Sequence, residues 1–441
     1  MSSLIHSSDI FKETKLHTSS NGVLHCSPLK NNIGSLPTLF TKEGIFNHEA
    51  NSYLFYLKTV KTARDLSPCA QALHAYYQFI EDNDLAWDKF PPVKRLKPTY
   101  LFRSHLLKKI KNGELAHSTA SVRMNQIVNY YKWLMHDGYL RVKNEKEAPF
   151  KMEFVSVQRT GMLAHISPTF TVETSDLRIK IPKDTSSNNI RPLSPLTRES
   201  LNILTQHLPS ASEELRFQVL ISIDTGMRIQ EVATLSLDAL DTATLLAESE
   251  HRYEIVLSPQ STGVQTKYLK QRRVEISAEL LASLNEYRTS ERRIKRVNKL
   301  NIKLDELPEN TVSLKKNAIE RLELCERHEP LFVSEQGNPV TAKSIEARWT
   351  ELRTYIKKTH PEFTHRFHDL RSTYGTYRLN GLLGAGLSPM ECMELLMGWM
   401  GHRNESTTWK YLRYLQRKEA FKVKFGILDS IMHEALGGED E

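Results

Sequence analysis

The chain has 441 residues, of which 39% are hydrophobic, so it is long enough for two or three domains with ordinary cores. It contains no apolar run of membrane-spanning length and, in residues 1–40, no secretory h-region, which predicts a cytoplasmic protein without membrane association. The cysteines are scattered without a Cys-x-x-Cys pair, which argues against a disulfide framework and a structural zinc site. A net charge of +8 favours an anionic partner without naming it.

The chain begins with a polar segment, residues 1–42, that is rich in Ser and Asn and has no sustained period. It predicts a flexible N-terminal arm. Over residues 43–145 the apolar spacing becomes helical and predicts four short helices. The clearest begins near Ser118 or Thr119, and its apolar residues from Met124 to Met135 follow i, i+3, i+4, i+7 spacing. Together these helices predict a compact helical domain.

The third predicted helix, over residues 99–111, belongs to a basic run. Seven basic residues and no acidic one occur between positions 94 and 111. Basic runs attract nucleic acid phosphates, although most are simply solvated surfaces. The candidate DNA-contacting residues are Lys94, Arg95, Lys97, Arg103, Lys108, Lys109 and Lys111.

A domain boundary is predicted within residues 146–193, which lack a strong helical period and are typical of a linker with a strand or two. The next domain spans 194–424, and a C-terminal helix or tail spans 425–441. Its first distinctive motif is DTGMRIQEVATL, in which Arg228 begins a helix and Glu231 lies three residues later on the same side. The guanidinium could bind a phosphate through two parallel bonds, or it could simply lie on a capped surface turn.

The segments RYEIVL and RRVEIS predict the two strands of a β-hairpin. The hairpin loop carries Lys267 and Lys270. Either ammonium group could donate a proton to a leaving 5′ oxygen if DNA lies over the loop; a solvated lysine is the alternative. The charged segment 286–326 predicts helices, and we assign it no chemistry.

The C-terminal part of the chain carries the densest set of reactive side chains. His368 and Arg371 lie three residues apart on one predicted helix face, and His402 precedes Tyr411 by nine residues. His365 could suggest metal ligation, but no third ligand has a fitting spacing, so no metal is predicted. Two imidazoles, a guanidinium and a phenol are what breaking and rejoining a DNA phosphodiester without a cofactor would require.

In this order, the arginine with its glutamate, the hairpin lysine, His-x-x-Arg, Gly-His and the tyrosine resemble the tyrosine recombinase (phage integrase) family. The resemblance is carried by three boxes, TGMRIQEVATL, HDLRSTYGT and MGHRNESTTWKYL, and covers residues 195–415. Residues 47–140 are similar to the helical core-binding domain of the family in size and helix count.

The resemblance implies a mainly α fold with a small antiparallel hairpin. A helical core-binding domain and a mixed α/β catalytic domain would close as a C-shaped clamp around double-stranded DNA. It also implies a homo-oligomer, a tetramer, on the DNA, with no cofactor and no metal. Such a protein would work in the cytoplasm and on the nucleoid, as a site-specific recombinase that integrates or excises a mobile element.

The resemblance also gives roles to individual residues. Arg228 and Arg371 would clamp the scissile phosphate and offset charge in the transition state, with Glu231 supporting the first arginine. His368 would assist proton removal from Tyr411, which would attack to leave a 3′-phosphotyrosine and a free 5′ hydroxyl.

Two further roles follow from the same family. His402 would bond a phosphate oxygen, and Lys267, preferred over Lys270, would be the general acid. Ser372 departs from the family because many relatives carry a basic residue there. Tyr414, one helical turn after the predicted nucleophile, is a rival for its role.

Two alternatives remain open from the sequence. A type IB topoisomerase would share the chemistry but relax supercoils, and a DNA-binding accessory protein would keep the fold without catalysis. The sequence does not identify the DNA site, nor does it show whether the C-terminal helix packs in cis or in trans.

Overall fold

The computed structural model describes residues 2–11, 13–19, 21–28, 32–63, 65–157, 170–180, 193–246, 251–307, 315–402, 408–412 and 415. Contacts divide the chain into two compact units. The first contains Met1–Arg191 and Ser313–Ala318, and the second contains Pro192–Val312 and Ile319–Glu441. Within the described ranges, no helix combines the length and hydropathy that crossing a bilayer requires.

The first unit is built on four helices: α1 (His48–Thr59), α2 (Ser67–Asp82), α3 (Pro98–Lys111) and α4 (His117–His136). Their starts follow local sequence signals. The Asn47 side chain caps α1 by accepting from the Ala50 backbone N–H at 3.0 Å, and a proline occupies the first turn of both α2 and α3. Four helices therefore occur where the apolar spacing predicts them.

Four strands precede these helices. β1 (Ser3–Phe11) pairs antiparallel with β4 (Asn32–Phe40), and β2 (Thr14–Thr18) pairs antiparallel with β3 (Leu24–Pro28). This differs from the flexible arm that the sequence predicts for residues 1–42. The reason is tertiary, because β4 packs against α1 and α2 and the buried amide of Asn51 bonds both backbone groups of Leu39.

The segment predicted as a linker contributes to the first unit. It forms an antiparallel hairpin of β5 (Met152–Val157) and β6 (Phe170–Ser175). Leu177 and Ile179, which follow the hairpin, are buried in the helical core. The change from one unit to the other falls at residue 191, near the C-terminal end of the predicted linker.

The residues that the structure describes from 193 onwards are mainly helical, with one small sheet. The sheet is antiparallel, in the order β7 (Thr244–Leu245), β8 (Arg252–Leu257), β9 (Arg272–Ser277). The helices are α5 (Arg198–His207), α6 (Glu213–Thr225), α7 (Ile229–Ala233), α8 (Leu237–Asp241), α9 (Ala278–Thr289), α10 (Glu291–Asp305), α11 (Lys316–Arg327), α12 (Ala342–Ile356), α13 (Phe367–Gly384) and α14 (Pro389–Met400). A further helical segment covers 408–412. The predicted fold class, mainly α with a small antiparallel sheet, is confirmed.

Helix α10, in the charged part of the sequence, is part of this fold. Arg293 and Arg296 of α10 are buried although their helix is highly charged. Arg293 donates to the carbonyl of Leu331 at 2.9 Å, and Arg296 forms an ion pair with the buried carboxylate of Glu214 at 2.6 Å. Burial alone would raise the pKa of Glu214, but the arginines bound to it hold the pKa below its usual value.

Two apolar clusters support the second unit. The larger one joins the sheet to the helices through residues such as Ile255, Val274, Trp349 and Phe367. The smaller one lies between α13, α14 and the segment 408–412, and it contains Tyr374, Leu379, Cys392, Met393, Leu396, Met400, Tyr411 and Leu412. The tyrosine predicted to react therefore belongs to a cluster outside the main core.

Candidate active site

The turn between α6 and α7 places Arg228. α6 ends at Gly226, which has a φ of 63°, and a Cβ there would lie 2.3 Å from the Tyr374 ring. Arg228 then caps α7: its backbone N–H donates to Glu231 Oε2 at 2.7 Å, and its Nη1 donates to Oε1 at 3.1 Å. The glutamate thus holds the arginine by its backbone and its side chain together.

Arg371 reaches the same place from α13. It is 2% exposed, and its guanidinium donates to the backbone carbonyls of Gly226 and Met400. Arg228 Nη2 donates to the carbonyls of Met400 at 3.4 Å and Gly401 at 3.2 Å. The two arginines therefore converge on the C-terminal end of α14, where carbonyl groups carry partial negative charge.

A third arginine, Arg272, completes this group and was missed by the sequence analysis. Its Nη2 donates to Glu231 Oε2 at 2.6 Å, and its Nη1 donates to the carbonyl of Trp399. Alternation along β9 could have identified it, because Arg272 lies on the same face as the buried Val274 and Ile276. The site thus contains three guanidinium groups and one carboxylate.

This excess of positive charge affects the pKa of Arg371. Burial, together with the charges of Arg228 and Arg272, lowers its pKa to about 9. An anion bound beside these groups would relieve their mutual repulsion. A phosphate diester matches that requirement, since guanidinium groups bind phosphate oxygens through paired charge-assisted hydrogen bonds.

His402 follows directly from the end of α14. Gly401 ends the helix with a φ of 58°, and a Cβ there would lie 2.7 Å from Arg272 Cδ. His402 Nδ1 lies 2.8 Å from the Thr408 hydroxyl. Burial and the charges of Arg371 and neighbouring cations lower the His402 pKa to about 3, so its imidazole is neutral at neutral pH.

Tyr411 lies next to His402, and the two rings are stacked with centroids 6.1 Å apart. It is 4% exposed. Burial raises the pKa of Tyr411, although Arg371 and a hydrogen bond with the Ser372 side chain oppose the rise. The phenol is therefore protonated at neutral pH and must lose its proton to react. The rival nucleophile, Tyr414, lies outside the described residues.

The remaining residues with a predicted catalytic role are exposed. His368 lies in the first turn of α13, close enough to lower the pKa of His402. Lys267 and Lys270 lie on the exposed hairpin loop, with Lys267 Nζ 5.1 Å from the centroid of the Tyr268 ring. Both lysines are accessible to solvent, so exposure does not distinguish between them. Within the described ranges, no group of three or more His, Cys, Asp or Glu could hold a metal ion.

The basic run at α3 is only partly available to a ligand. Lys97 is buried, and its ammonium donates to the carbonyl of Ala148 at 2.5 Å, so its prediction as an exposed DNA contact is wrong. The reason is that residues 148–149 and 176–178 form hydrogen bonds with Lys97 and with side chains of α3. The same segment binds two more of the candidates, Lys94 through Asp176 at 2.5 Å and Arg103 through a backbone carbonyl. The candidates Arg95, Lys108 and Lys111 are exposed, and Lys109 is half-buried.

Two arginines, a histidine and a buried tyrosine thus meet at one helix end, which is the constellation of a tyrosine recombinase. The Phage integrase family model matches residues 195–418, just over half of the 441 residues. The chain belongs to the phage integrase family, whose members bind and recombine DNA. No curated protein matches the chain.

Three solved structures illustrate what the chain is similar to. XerH site-specific recombinase in a post-cleavage complex with palindromic difH substrate is 14% identical, with 81% of this chain and 79% of that chain covered and a TM-score of 0.47. The Tn1549 transposon integrase in complex with a circular intermediate DNA is 15% identical, with coverages of 82% and 94% and a TM-score of 0.45. A lambda integrase dimer bound to a COC′ core site is 11% identical, with coverages of 82% and 94% and a TM-score of 0.42. At TM-scores this low the identification rests on the family match.

Proposed function

We propose that the protein is a site-specific recombinase that cleaves and rejoins DNA strands through a 3′-phosphotyrosyl intermediate on Tyr411. The observation that carries this proposal is the convergence of Arg228, Arg371 and His402 around the end of α14, with Tyr411 stacked on the histidine. Three polar groups beside one phenol provide both a phosphate site and an attacking atom.

In the proposed first step, the Tyr411 oxygen attacks the phosphorus and the bond from phosphorus to the 5′ oxygen breaks. Negative charge grows on the non-bridging oxygens, where Arg228 and Arg371 stabilise it. The departing 5′ oxygen takes a proton from the hairpin lysine, Lys267 in our assignment. In the reverse step a 5′ hydroxyl attacks the phosphotyrosine, so rejoining requires no ATP.

The proposed proton transfers start from a protonated Tyr411 phenol and a neutral His402 imidazole. A tyrosine with its ordinary pKa of about 10 is already a poor nucleophile at neutral pH. Burial raises the pKa of Tyr411 further, so Tyr411 needs a base, which we propose is His368. His402 has a different role because it is neutral. If the Thr408 hydroxyl donates to Nδ1, the remaining proton lies on Nε2 and can be donated to a phosphate oxygen.

The assembly follows from the chemistry. A recombination event exchanges four strands, and each protomer supplies one Tyr411, so we propose that four copies act together on two DNA duplexes. The energy of each phosphodiester is retained in the phosphotyrosine, so we propose that neither a metal nor a nucleotide cofactor takes part. Integration or excision of a mobile element is the proposed biological role.

A nicked duplex tests the proposal. Duplexes tiled across the DNA that flanks the gene are nicked so that cleavage releases a short fragment and traps the covalent adduct. We expect an adduct with the natural chain and none with Tyr411→Phe, while DNA binding stays unchanged and Tyr414→Phe forms the adduct normally. An adduct that persists in Tyr411→Phe and disappears in Tyr414→Phe would reassign the nucleophile. No adduct with the natural chain on any duplex would favour an accessory DNA-binding protein.

A further inference from the structure

We propose that Arg272 is a positioning residue for strand cleavage. It holds Arg228 and the turn before His402 in position. The proposal rests on the proposed function, and it concerns a residue outside the set that the sequence identifies as catalytic. Arg272 is the first residue of β9, and its side chain is 8% exposed.

One end of the Arg272 guanidinium controls the position of Arg228 through Glu231. The carboxylate of Glu231 is fully buried and receives Arg272 Nη2 on Oε2, the oxygen that also accepts the backbone N–H of Arg228. Burial alone would raise the pKa of Glu231, but the charge and hydrogen bond of Arg272, followed by those of Arg228, hold it below its usual value. Glu231 is therefore an ionised bridge between the two arginines.

Removal of Arg272 would change how Arg228 divides its hydrogen bonds. A buried carboxylate that loses one of two cationic partners depends more strongly on the other. Arg228 would then be drawn towards Glu231, and less of its guanidinium would be available to a phosphate. This effect on the phosphate site comes in addition to the loss of stability that follows when a buried carboxylate loses one cationic partner.

The other end of the Arg272 guanidinium holds the chain that leads to His402. Its Nη1 donates to the carbonyl of Trp399, and its Cδ lies where a Cβ on Gly401 would be only 2.7 Å away. The last turn of α14 and the glycine that ends it thus rest directly on this side chain. Arg228 also binds the carbonyl of Gly401. Arg272 therefore contacts both the glutamate that holds Arg228 and the helix end that leads to His402.

A guanidinium is suited to this position because its planar fork reaches two acceptors in fixed directions. The ammonium of a lysine keeps the charge but cannot reproduce that geometry. The neighbouring Arg273 provides a matched control. It lies on the opposite face of β9, its side chain is 64% exposed, and it pairs with Glu254 at the surface.

The test compares Arg272→Lys and Arg272→Met with Arg273→Lys and Arg273→Met in the full chain. The substrate is the nicked flanking-DNA duplex on which the natural chain forms its adduct, so failure of the proposed function would already appear as no adduct with the natural chain. We measure the single-turnover rate of adduct formation, the affinity for the same duplex and the melting temperature. We expect the rate to fall about 10- to 100-fold in both Arg272 variants, the range typical of residues that hydrogen-bond to a ligating group and fix its orientation. The affinity for the duplex should change about twofold or less.

A second substrate separates positioning from a general structural role. It carries a methylphosphonate at the scissile position, which removes the charge of one non-bridging oxygen and with it most of the need for a well-placed arginine. We expect the loss in the Arg272 variants to shrink to about threefold or less on this substrate. Glu231→Gln, which keeps the hydrogen-bond acceptor but loses the charge, should show the same pattern.

Three outcomes would overturn the proposal. The first is a rate for Arg272→Lys equal to that of Arg273→Lys. The second is an equal loss on the charged and the methylphosphonate substrates, which would indicate damage to the fold. If Arg272→Met fails to fold, Arg272→Lys and Glu231→Gln are compared with Arg273→Lys in the same way. The third outcome is then a rate of adduct formation that is undiminished in both Arg272→Lys and Glu231→Gln.

Discussion

At the scale of single residues, Gly375 allows the Tyr411 ring to approach the backbone of α13 closely. A Cβ on Gly375 would lie 2.7 Å from Tyr411 Cε1 and 2.9 Å from Met400 Sδ. The tyrosine ring therefore packs directly on the backbone of α13, one turn after Ser372. The same helix carries Arg371, so the proposed nucleophile and a proposed phosphate ligand share one rigid support.

Gly375→Ala is expected to slow adduct formation by about 10- to 100-fold, because the added methyl group must push the reacting phenol out of place. Gly381→Ala is the control: it lies on the same helix, and nothing lies within 4 Å of its Cβ position. That substitution should leave the rate unchanged and stabilise the helix by about 0.5–1 kcal/mol. A rate for Gly375→Ala equal to that of the control would show that the ring can be accommodated elsewhere.

Residue order and spacing allowed several members of this site to be predicted. Arg228 and Arg371 lie 143 positions apart in sequence, yet both bind the carbonyl of Met400. Arg272 was missed because its role depends on a buried partner, Glu231, and on a helix end 127 residues later. A sequence pattern shows which residue types recur, whereas it does not show which carbonyl a guanidinium reaches.

At the scale of elements, α10 shows how a charged helix can still be structural. Arg296 is largely buried and binds the carboxylate of Glu214, which is 1% exposed. On the outer face of the same helix, Lys295 pairs with Glu291 at 2.6 Å, but both side chains are well exposed. Charge alone predicts a solvated surface for both pairs, and only the packing against α6 distinguishes them.

Arg296→Ala is expected to destabilise the second unit by about 3–5 kcal/mol, because it leaves a buried carboxylate with one partner fewer. Lys295→Ala removes an exposed pair and should cost about 0.5 kcal/mol or less. Urea unfolding of the full chain, followed by far-UV circular dichroism and tryptophan fluorescence, measures both changes. Equal effects of the two substitutions would mean that the burial of Glu214 adds nothing to the pair.

The elements differ in how well the sequence predicts them. The helices α2 and α4 follow from local signals, namely a proline in the first turn of α2 and the apolar spacing of α4. The strands β1 and β4 do not, because they pair across more than 20 residues and their burial depends on α1 and α2. The polar composition of residues 1–42 predicts a flexible arm, because the sequence does not show the surface of α1 and α2 on which β4 packs.

At the scale of the whole molecule, the net charge of +8 predicts salt-sensitive binding to DNA, and the exposed lysines of α3 are the expected contacts. Lys108→Gln and Lys111→Gln should each weaken binding to duplexes of any sequence and reduce the slope of log affinity against log salt by about 1. Lys89→Gln, an exposed lysine outside the basic run, should leave the slope unchanged. Equal slopes for all three variants would remove α3 from the DNA contacts.

The central claim is that the phenol oxygen of Tyr411 attacks the DNA phosphate. Mapping the covalent adduct tests this claim most directly. Trypsin cleaves after Lys410, Arg413 and Arg417, so the two candidate tyrosines fall into separate peptides. Mass spectrometry of the trapped complex, after nuclease digestion of the DNA, should find a nucleotide joined through its 3′ phosphate to Tyr411 in the peptide of residues 411–413. A nucleotide on the peptide of residues 414–417, or one joined through a 5′ phosphate, would contradict the account.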